Sequence, residues 1–386
     1  MPDPIYLDHA ATTPVRREVR EAMEPFYGPR FGNPSSIHRW GREARAALDE
    51  ARERLAACLG AQPDEIAFTS GGTEGDNLAV LGAWRALRGG GKRAVVASAI
   101  EHKAVLEAVH HAKREGAEER LLAVDECGIV RAASIEAHLK PDVAVCSVMW
   151  VNNEIGTVQP VAALAERTHE CRALFHTDGV QAFGKVRVDA RAVPFDFFTM
   201  SGHKIGAPKG IGAIFVRRGT PLEPLQFGGS QNRGQRPGTE NVAAAVGLAC
   251  AAELAVAEMD AEMARLGRLR DMLETALLAR IPDAVVHARR APRAAHILNV
   301  SVPGTDSESL LMALDLAGIA CSSGSACQSG STEPSHVLLA LGVSRELGAA
   351  AVRMSLGVLT TDEGIQRVAL RFPDLVAKAR RLAAAS

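Results

Sequence analysis

Six short apolar runs recur along the first half of the chain: Ile66–Thr69, Ala94–Ala97, Leu121–Val124, Val143–Val151, Leu174–Thr177 and Phe197–Met200. Helical patterns near Thr73–Leu87, His102–Glu115 and Val161–Ala173 separate most of them. A strand that is apolar on both faces must be covered on both faces, and intervening helices supply the crossovers that parallel pairing requires. The alternation therefore predicts an α/β fold on a mainly parallel sheet, with ligands at the carboxyl ends of the strands. Ile211–Val216 adds a seventh strand, either an edge hairpin or an antiparallel strand.

Around this unit the chain reads as follows. Tyr6–Pro14 is a short extended entry, and a helix is expected from about Val15 to Phe26. A long amphipathic helix follows with Ile37, Trp40, Ala44, Leu48 and Leu55 on one face. Asn241 to Ile281 is one helical stretch, expected to break or bend as it leaves the large domain. Beyond it, strands at His296–Val302, Ala320–Ser322 and Ala351–Leu356 alternate with helices at Ser307–Leu316, Ser335–Leu341 and the carboxyl end. The expected division is a large domain over residues 14–255 and a smaller α+β domain from residues 1–13 and 256–386.

Charged residues are 23% of the chain and the net charge is −1, so no bulk attraction to nucleic acid or to an anionic membrane is expected. Met1–Ile5 lacks the basic and apolar segments of a signal peptide, no run of about 18 apolar residues is evident, and the cytoplasm is the expected compartment. Seven scattered cysteines include no Cys-x-x-Cys pair, which argues against a structural zinc site or a disulfide framework.

The chemistry gathers at the predicted strand ends. Phe195–Met200 runs into Ser201-Gly202-His203-Lys204, and Leu174–Thr177 runs into Asp178. Alone, Lys204 reads as a solvated surface lysine. Paired with Asp178 it supplies the two groups that pyridoxal phosphate (PLP) requires, an amine for a Schiff base and a carboxylate for the pyridine nitrogen. Ser70-Gly71-Gly72-Thr73-Glu74 joins a strand to a helix, where amides at the helix start can face a phosphate, although an ordinary glycine turn has the same appearance. It lacks the Lys-Ser/Thr of a nucleotide P-loop. His102 follows the next strand, and Asn152-Asn153-Glu154 a later one; a helix cap and an Asx turn are their plain alternatives.

This run of motifs resembles the cysteine desulfurases, PLP enzymes of aminotransferase fold type I, class V. The similarity extends from Tyr6-Leu7-Asp8 through Phe31–Ser36, Ser70–Glu74, Glu101-His102-Lys103, Val151–Gly156, Asp178–Gln181 and Ser201–Lys204, then Arg236–Asn241, Ser322–Cys327 and Arg353–Gly357. It covers nearly the whole chain in order. The resemblance implies that Lys204 holds the cofactor and moves the substrate α-proton, that Asp178 pairs with the pyridinium, and that Gln181 donates to the phenolic oxygen. His102 would stack on the ring and assist proton transfer. Gly72, Thr73, Ser201 and His203 would bind the phosphate, joined by Thr239 from the second subunit of a homodimer. Asn153 would contact the cofactor or the substrate carboxylate, and Arg353 would clamp that carboxylate in a bidentate fork.

Cys327, in the small and polar stretch Ser322–Gly330, would attack the sulfur of L-cysteine, leaving a persulfide on the protein and releasing alanine. Sulfur would then pass to acceptor proteins such as an iron–sulfur scaffold. The resemblance leaves open a transient iron–sulfur ligand role for Cys327, with no resident metal. Cys321 reads as a packing residue. The long segment from Ser322 to Arg353 resembles the IscS/NifS-type group and not the SufS-type group. Gly72, His9-Ala10 and Met149-Trp150 depart from the commonest family wording without removing a catalytic atom. Two alternatives remain at this level: a selenocysteine or cystine lyase or related PLP aminotransferase, and a persulfide-carrying scaffold whose turnover depends on a partner.

Overall fold

The computed structural model describes residues 3–323 and 334–383. The elements in order are β1 (Ile5–Tyr6), α1 (Arg17–Met23), α2 (Arg39–Leu59), β2 (Ile66–Thr69), α3 (Gly72–Leu87), β3 (Ala94–Ser98), α4 (Lys103–Arg114), β4 (Glu118–Leu122), α5 (Ala132–His138), β5 (Val143–Ser147), α6 (Val161–Glu170), β6 (Leu174–Asp178), β7 (Phe197–Ser201) and β8 (Gly212–Val216). They continue with α7 (Val242–Arg280), β9 (Val285–Val286), β10 (Ile297–Ser301), α8 (Ser307–Leu316), β11 (Ile319–Ala320), α9 (His336–Ala340), α10 (Arg345–Ala349), β12 (Ala351–Ser355) and α11 (Asp362–Ala383).

The large sheet has seven strands in the order β2-β8-β7-β6-β5-β3-β4. The pairs from β7 through β6, β5 and β3 to β4 are parallel, and β8 is antiparallel to both β7 and β2. Ile211–Val216 is thus an antiparallel strand inside the sheet and not an edge hairpin. Every residue of β2, β3, β5, β7 and β8 is buried. That is the consequence of covering both faces, by α3 and α4 on one hydrophobic cluster and by α2, α6 and the start of α7 on the other. The carboxyl ends of β2, β3, β5, β6 and β7 share one edge.

α7 runs for 39 residues without the break that the sequence allowed. Val242–Ala252 pack into the large core, whereas Leu266, Leu269, Leu273 and Leu277 belong to a separate core with Ile5, Leu7, β10, β12 and α11. Among the described residues α7 is long and apolar enough to cross a membrane by length and composition, contrary to the sequence reading, but 56% of that apolar window is buried inside the protein, against α1 and α2. The small unit's sheets are β12-β10-β9, antiparallel throughout, and the parallel pair β1-β11.

Two local expectations change. β4 lies at Glu118–Leu122, three residues before the apolar run, because an edge strand facing water needs no continuous apolar sequence. Ile37 precedes α2 and is 91% exposed and Trp40 is 50% exposed, while Ala44, Leu48 and Leu55 are fully buried. α2 therefore hides only part of the predicted stripe.

Candidate active site

Lys204 ends the 3-10 turn Gly202–Lys204 that follows β7. Its Nζ donates to the carbonyls of Ala10 and Ala11, both at 2.7 Å. The segment after β1 braces this turn further: Thr13 N and Oγ1 donate to His203 O, Thr13 Oγ1 accepts from Gly206 N, and Thr12 Oγ1 meets His203 Nδ1 at 3.1 Å. Burial, aided by Lys204, Lys209 and Lys185, pulls the His203 imidazole down to about 4, so it is a neutral donor or acceptor near neutrality.

Asp178 closes β6 and is 4% exposed. Its Oδ1 accepts from Val180 N at 2.8 Å. Burial raises its pKa, and the nearby His102 and Lys204 oppose that rise. His102 caps α4, its Nδ1 accepting from Ala104 N at 3.1 Å, so the cap and a place beside Asp178 coexist. Below Asp178 lies a buried polar layer that the sequence reading missed. His176 meets Ser147 Oγ at 2.8 Å, Thr199 Oγ1 at 3.1 Å and Asp76 at 3.5 Å. Burial pulls His176 to about 3 and pushes the Asp76 and Glu101 carboxyls well up, with Asp178 adding to both. A lone histidine in an apolar strand and an acid one turn after Thr73 were the only signals for this layer.

Gly71 and Gly72 open α3 against the end of β7. A Cβ on Gly72 would stand 2.8 Å from Val180 Cγ2 and 3.7 Å from Ser201 Cβ, and one on Gly71 would stand 3.8 Å from Ser201 Oγ. The amide end of a 16-residue helix thus faces Ser201, with Thr73 exposed in its first turn. Glu74 receives Ser70 N and Arg236 Nε, both at 2.7 Å, and ties this turn to the 230s segment.

Gln181 is buried; its Nε2 donates to Ala10 O at 2.8 Å, and its Oε1 meets His296 Nε2 at 3.3 Å. Arg353 on β12 is 2% exposed, and donates to Asp8 Oδ1 at 2.8 Å and to the main-chain oxygen of Asn153 at 3.0 Å. Its Nε is buried with no partner. Asn152, not Asn153, forms the Asx turn, accepting from Glu154 N and Ile155 N. Thr239 is exposed and lines a separate hollow of about 180 Å³ with Ser70, Gly210 and Arg236. Asp178, His102 and Lys204 do not line that hollow.

Cys327 lies outside the described residues. The described chain on either side is anchored at the site: Ser322 pairs with the Arg353 main chain, Ser335 Oγ donates to buried Glu154, and His336 Nε2 meets Glu101 O at 2.9 Å. Cys321 is part-buried against the smaller core, and burial pushes its thiol up to about 12, which makes it a poor nucleophile. No group of three or more His, Cys, Asp and Glu among the described residues is placed to hold a metal ion.

The donor set fits PLP: a buried carboxylate, a lysine one strand away, a glycine-lined helix start facing a serine, and a buried guanidinium with an unused donor.

The class-V aminotransferase family profile matches residues 5–368. A cysteine desulfurase IscS of Dictyoglomus turgidum is 46% identical over 361 residues, spanning 94% of this chain and 91% of the relative. A solved structure of a NifS-like protein superposes with a TM-score of 0.91 at 33% identity, covering 97% of this chain and all of the other. SspA, solved in complex with cysteine, aligns with a TM-score of 0.80 at 33% identity over 91% of this chain and 98% of the other. The order of the strand-end motifs, the sheet that gathers them and these matches lead to one placement: the chain belongs to the class-V aminotransferase family, among its IscS- and NifS-like cysteine desulfurases.

Proposed function

We propose that the protein is a PLP-dependent cysteine desulfurase that converts L-cysteine to L-alanine and passes the sulfur through a persulfide on Cys327. The observation that carries this reading is the convergence of Lys204, Asp178 and His102 on one sheet edge, with the stems of the Cys327 segment tied to Arg353, Glu154 and Glu101. When bound, PLP supplies an electron sink that weakens bonds at the substrate's α- and β-carbons.

This chain's residues do the rest. Lys204 holds the cofactor and carries the proton to and from the substrate Cα. Asp178 would accept the pyridine N–H of bound PLP, and the charge of that ring would favour the ionised carboxylate despite its burial. His102 would contact the ring of bound PLP and assist proton transfer, and Gln181 would donate to its phenolic oxygen. Gly72, Thr73, Ser201 and His203 hold the phosphate. Arg353, presented by Asp8 and Asn153, binds the substrate carboxylate with its unused Nε and one Nη. Asn153 contacts cofactor or substrate from the same turn. The Cys327 thiolate forms an S–S bond to the substrate sulfur as the Cβ–S bond breaks; the bonding pair stays with Cβ, which is protonated to the methyl of alanine.

We further propose a homodimer. Tyr27, Phe31, Ile37 and Trp40 are 67%, 70%, 91% and 50% exposed within a short stretch, an apolar display that a second copy would cover. Thr239, exposed and apart from Lys204, then completes the phosphate site of the partner subunit. The sulfur acceptors are proteins such as an iron–sulfur scaffold. The six cysteines among the described residues are free thiols, which fits a reducing compartment such as the cytoplasm. The working division is residues 14–255 as the large domain and 1–13 with 256–386 as the small one, in keeping with Ile5 and Leu7 packing beside α11.

The test is product analysis with PLP, L-cysteine and a reductant. Equal amounts of alanine and sulfide are expected, and neither from Cys327→Ala. Full desulfuration by that variant would overturn the role of the thiol; pyruvate and ammonia with sulfide would identify a lyase.

A further inference from the structure

Gln181 and His296 are 3% and 1% exposed, so neither side chain can turn to bulk water. Among the described residues the Gln181 amide has two partners: Nε2 donates to Ala10 O at 2.8 Å, and Oε1 lies 3.3 Å from His296 Nε2. Both partners are fixed by the end of one strand, β12. Ser355 Oγ accepts from Ala10 N at 2.9 Å, and the next residue, Leu356, donates its N–H to His296 O at 2.8 Å. Arg353 stands two residues before Ser355 on the same strand.

These partners allow the amide one orientation. Ala10 O can only accept, and it already receives the Lys204 amine, so the edge of Gln181 that faces it must be the NH2 group. Oε1 then faces His296, whose ring must donate. Burial first, and the nearby Lys185 next, hold the His296 imidazole well below its usual range, so the ring is neutral and carries a single N–H. A proton on Nδ1 would be a buried donor without a partner, and would leave the Nε2 lone pair against Oε1. The proton therefore sits on Nε2. One Gln181 N–H goes to Ala10 O, and the second remains for a ligand.

We propose that His296 is a positioning residue for Gln181: its Nε2–H holds Oε1 and so keeps the remaining amide N–H free for the phenolic oxygen of bound PLP. The inference rests on Gln181 being the donor to that oxygen. Without the imidazole, Oε1 is buried with no donor and the amide is held from one side only, so part of the free energy of PLP binding goes to ordering it again. The end of β12 then serves two parts of the site. It carries Arg353 for the substrate carboxylate and, through Ala10 and His296, sets the orientation of a cofactor donor.

The test uses protein stripped of cofactor and titrated with PLP, with affinity and the visible absorbance band of the bound cofactor both measured. His296→Leu is expected to weaken PLP binding about three- to tenfold and to move the band toward that of Gln181→Leu. His296→Gln puts an amide donor near the place of Nε2 and should restore both. In a Gln181→Leu background, His296→Leu should add no further loss. Wild-type affinity and band in His296→Leu overturn the proposal, as does a His296→Gln protein no better than His296→Leu, or a loss of full size in the Gln181→Leu background. If His296→Leu does not fold, His296→Met carries the same comparison. Wild-type affinity and band in Gln181→Leu itself would instead remove the cofactor-donor reading of Gln181, so the two failures are told apart.

Discussion

Arg353 and Asp8, 345 residues apart in the chain, meet as an ion pair with Nη2 2.8 Å from Oδ1. Arg353 comes from β12 and Asp8 from the segment after β1, and the bridge between Asp8 and Ser355 brings the two backbones together. Asp8 and the main chain of Asn153 fix the plane of the guanidinium and leave its buried Nε without a protein partner. A planar cation held in this way matches a carboxylate, at little ordering cost when the substrate arrives.

Arg353→Lys tests that arrangement. An ammonium keeps the charge but loses the fork, forfeiting about 1.5–3 kcal/mol of charge-assisted hydrogen bonding. KM for cysteine is expected to rise by one to two orders of magnitude, with a smaller change in kcat. Steady-state kinetics checks it; an unchanged KM would remove Arg353 from carboxylate binding.

Gly72 stands where a methyl group would press on Val180 Cγ2 at 2.8 Å. Gly72→Ala is therefore expected to cost about 1–3 kcal/mol and to weaken PLP retention. The double variant Gly72→Ala/Val180→Ala should recover most of both, since the crowding atom is then gone. Cofactor dialysis and denaturant melts of the three proteins give the comparison.

Arg52 is buried on α2, donating to Glu240 at 3.1 Å and to Asn232 at 3.4 Å while lying 5.4 Å from the Phe68 ring centroid. It anchors the 230s segment that carries Arg236 and Thr239. Arg52→Met leaves buried Glu240 without its cation and is expected to lower stability by about 3–5 kcal/mol. A urea midpoint unchanged from the wild type would contradict this.

His287 offers a pH test. Burial pulls its imidazole down to about 4, and Nε2 meets Ser301 Oγ at 2.7 Å. The folded pKa lies below the unfolded value, so the unfolded chain binds the extra proton between those two pH values. This contribution is full above the unfolded pKa and is lost as pH falls toward the folded one. In His287→Gln the dependence of stability on pH between about 4 and about 6.5 should be shallower by up to roughly 1.4 kcal/mol per pH unit. Denaturant titrations at several pH values measure the difference.

How much of this was legible in advance depended on where each residue's environment comes from. Runs such as Val143–Val151 and Leu174–Thr177 stood out because a strand covered on both faces must be apolar along its length. The apolar run misplaces β4 by three residues because an exposed edge strand carries no such constraint, and the seven residues of α5 are too few to show a helical period. Ile37 and Trp40 fit a helical period in sequence yet face outward, since periodicity marks an apolar face but not what covers it.

The amino-acid sequence by itself determined the strand–helix alternation, the motif at each strand end, and hence the family and its cofactor. Each of these depends on neighbours within a few residues. Only the tertiary structure decided that Ala10 and Ala11 hold the Lys204 amine, that Asp8 orients Arg353, that Asp76, Glu101 and His176 lie beneath Asp178, and that His296 meets the Gln181 amide. Those groups come from segments up to hundreds of residues apart, and their protonation is set by burial and by charges that no local pattern records.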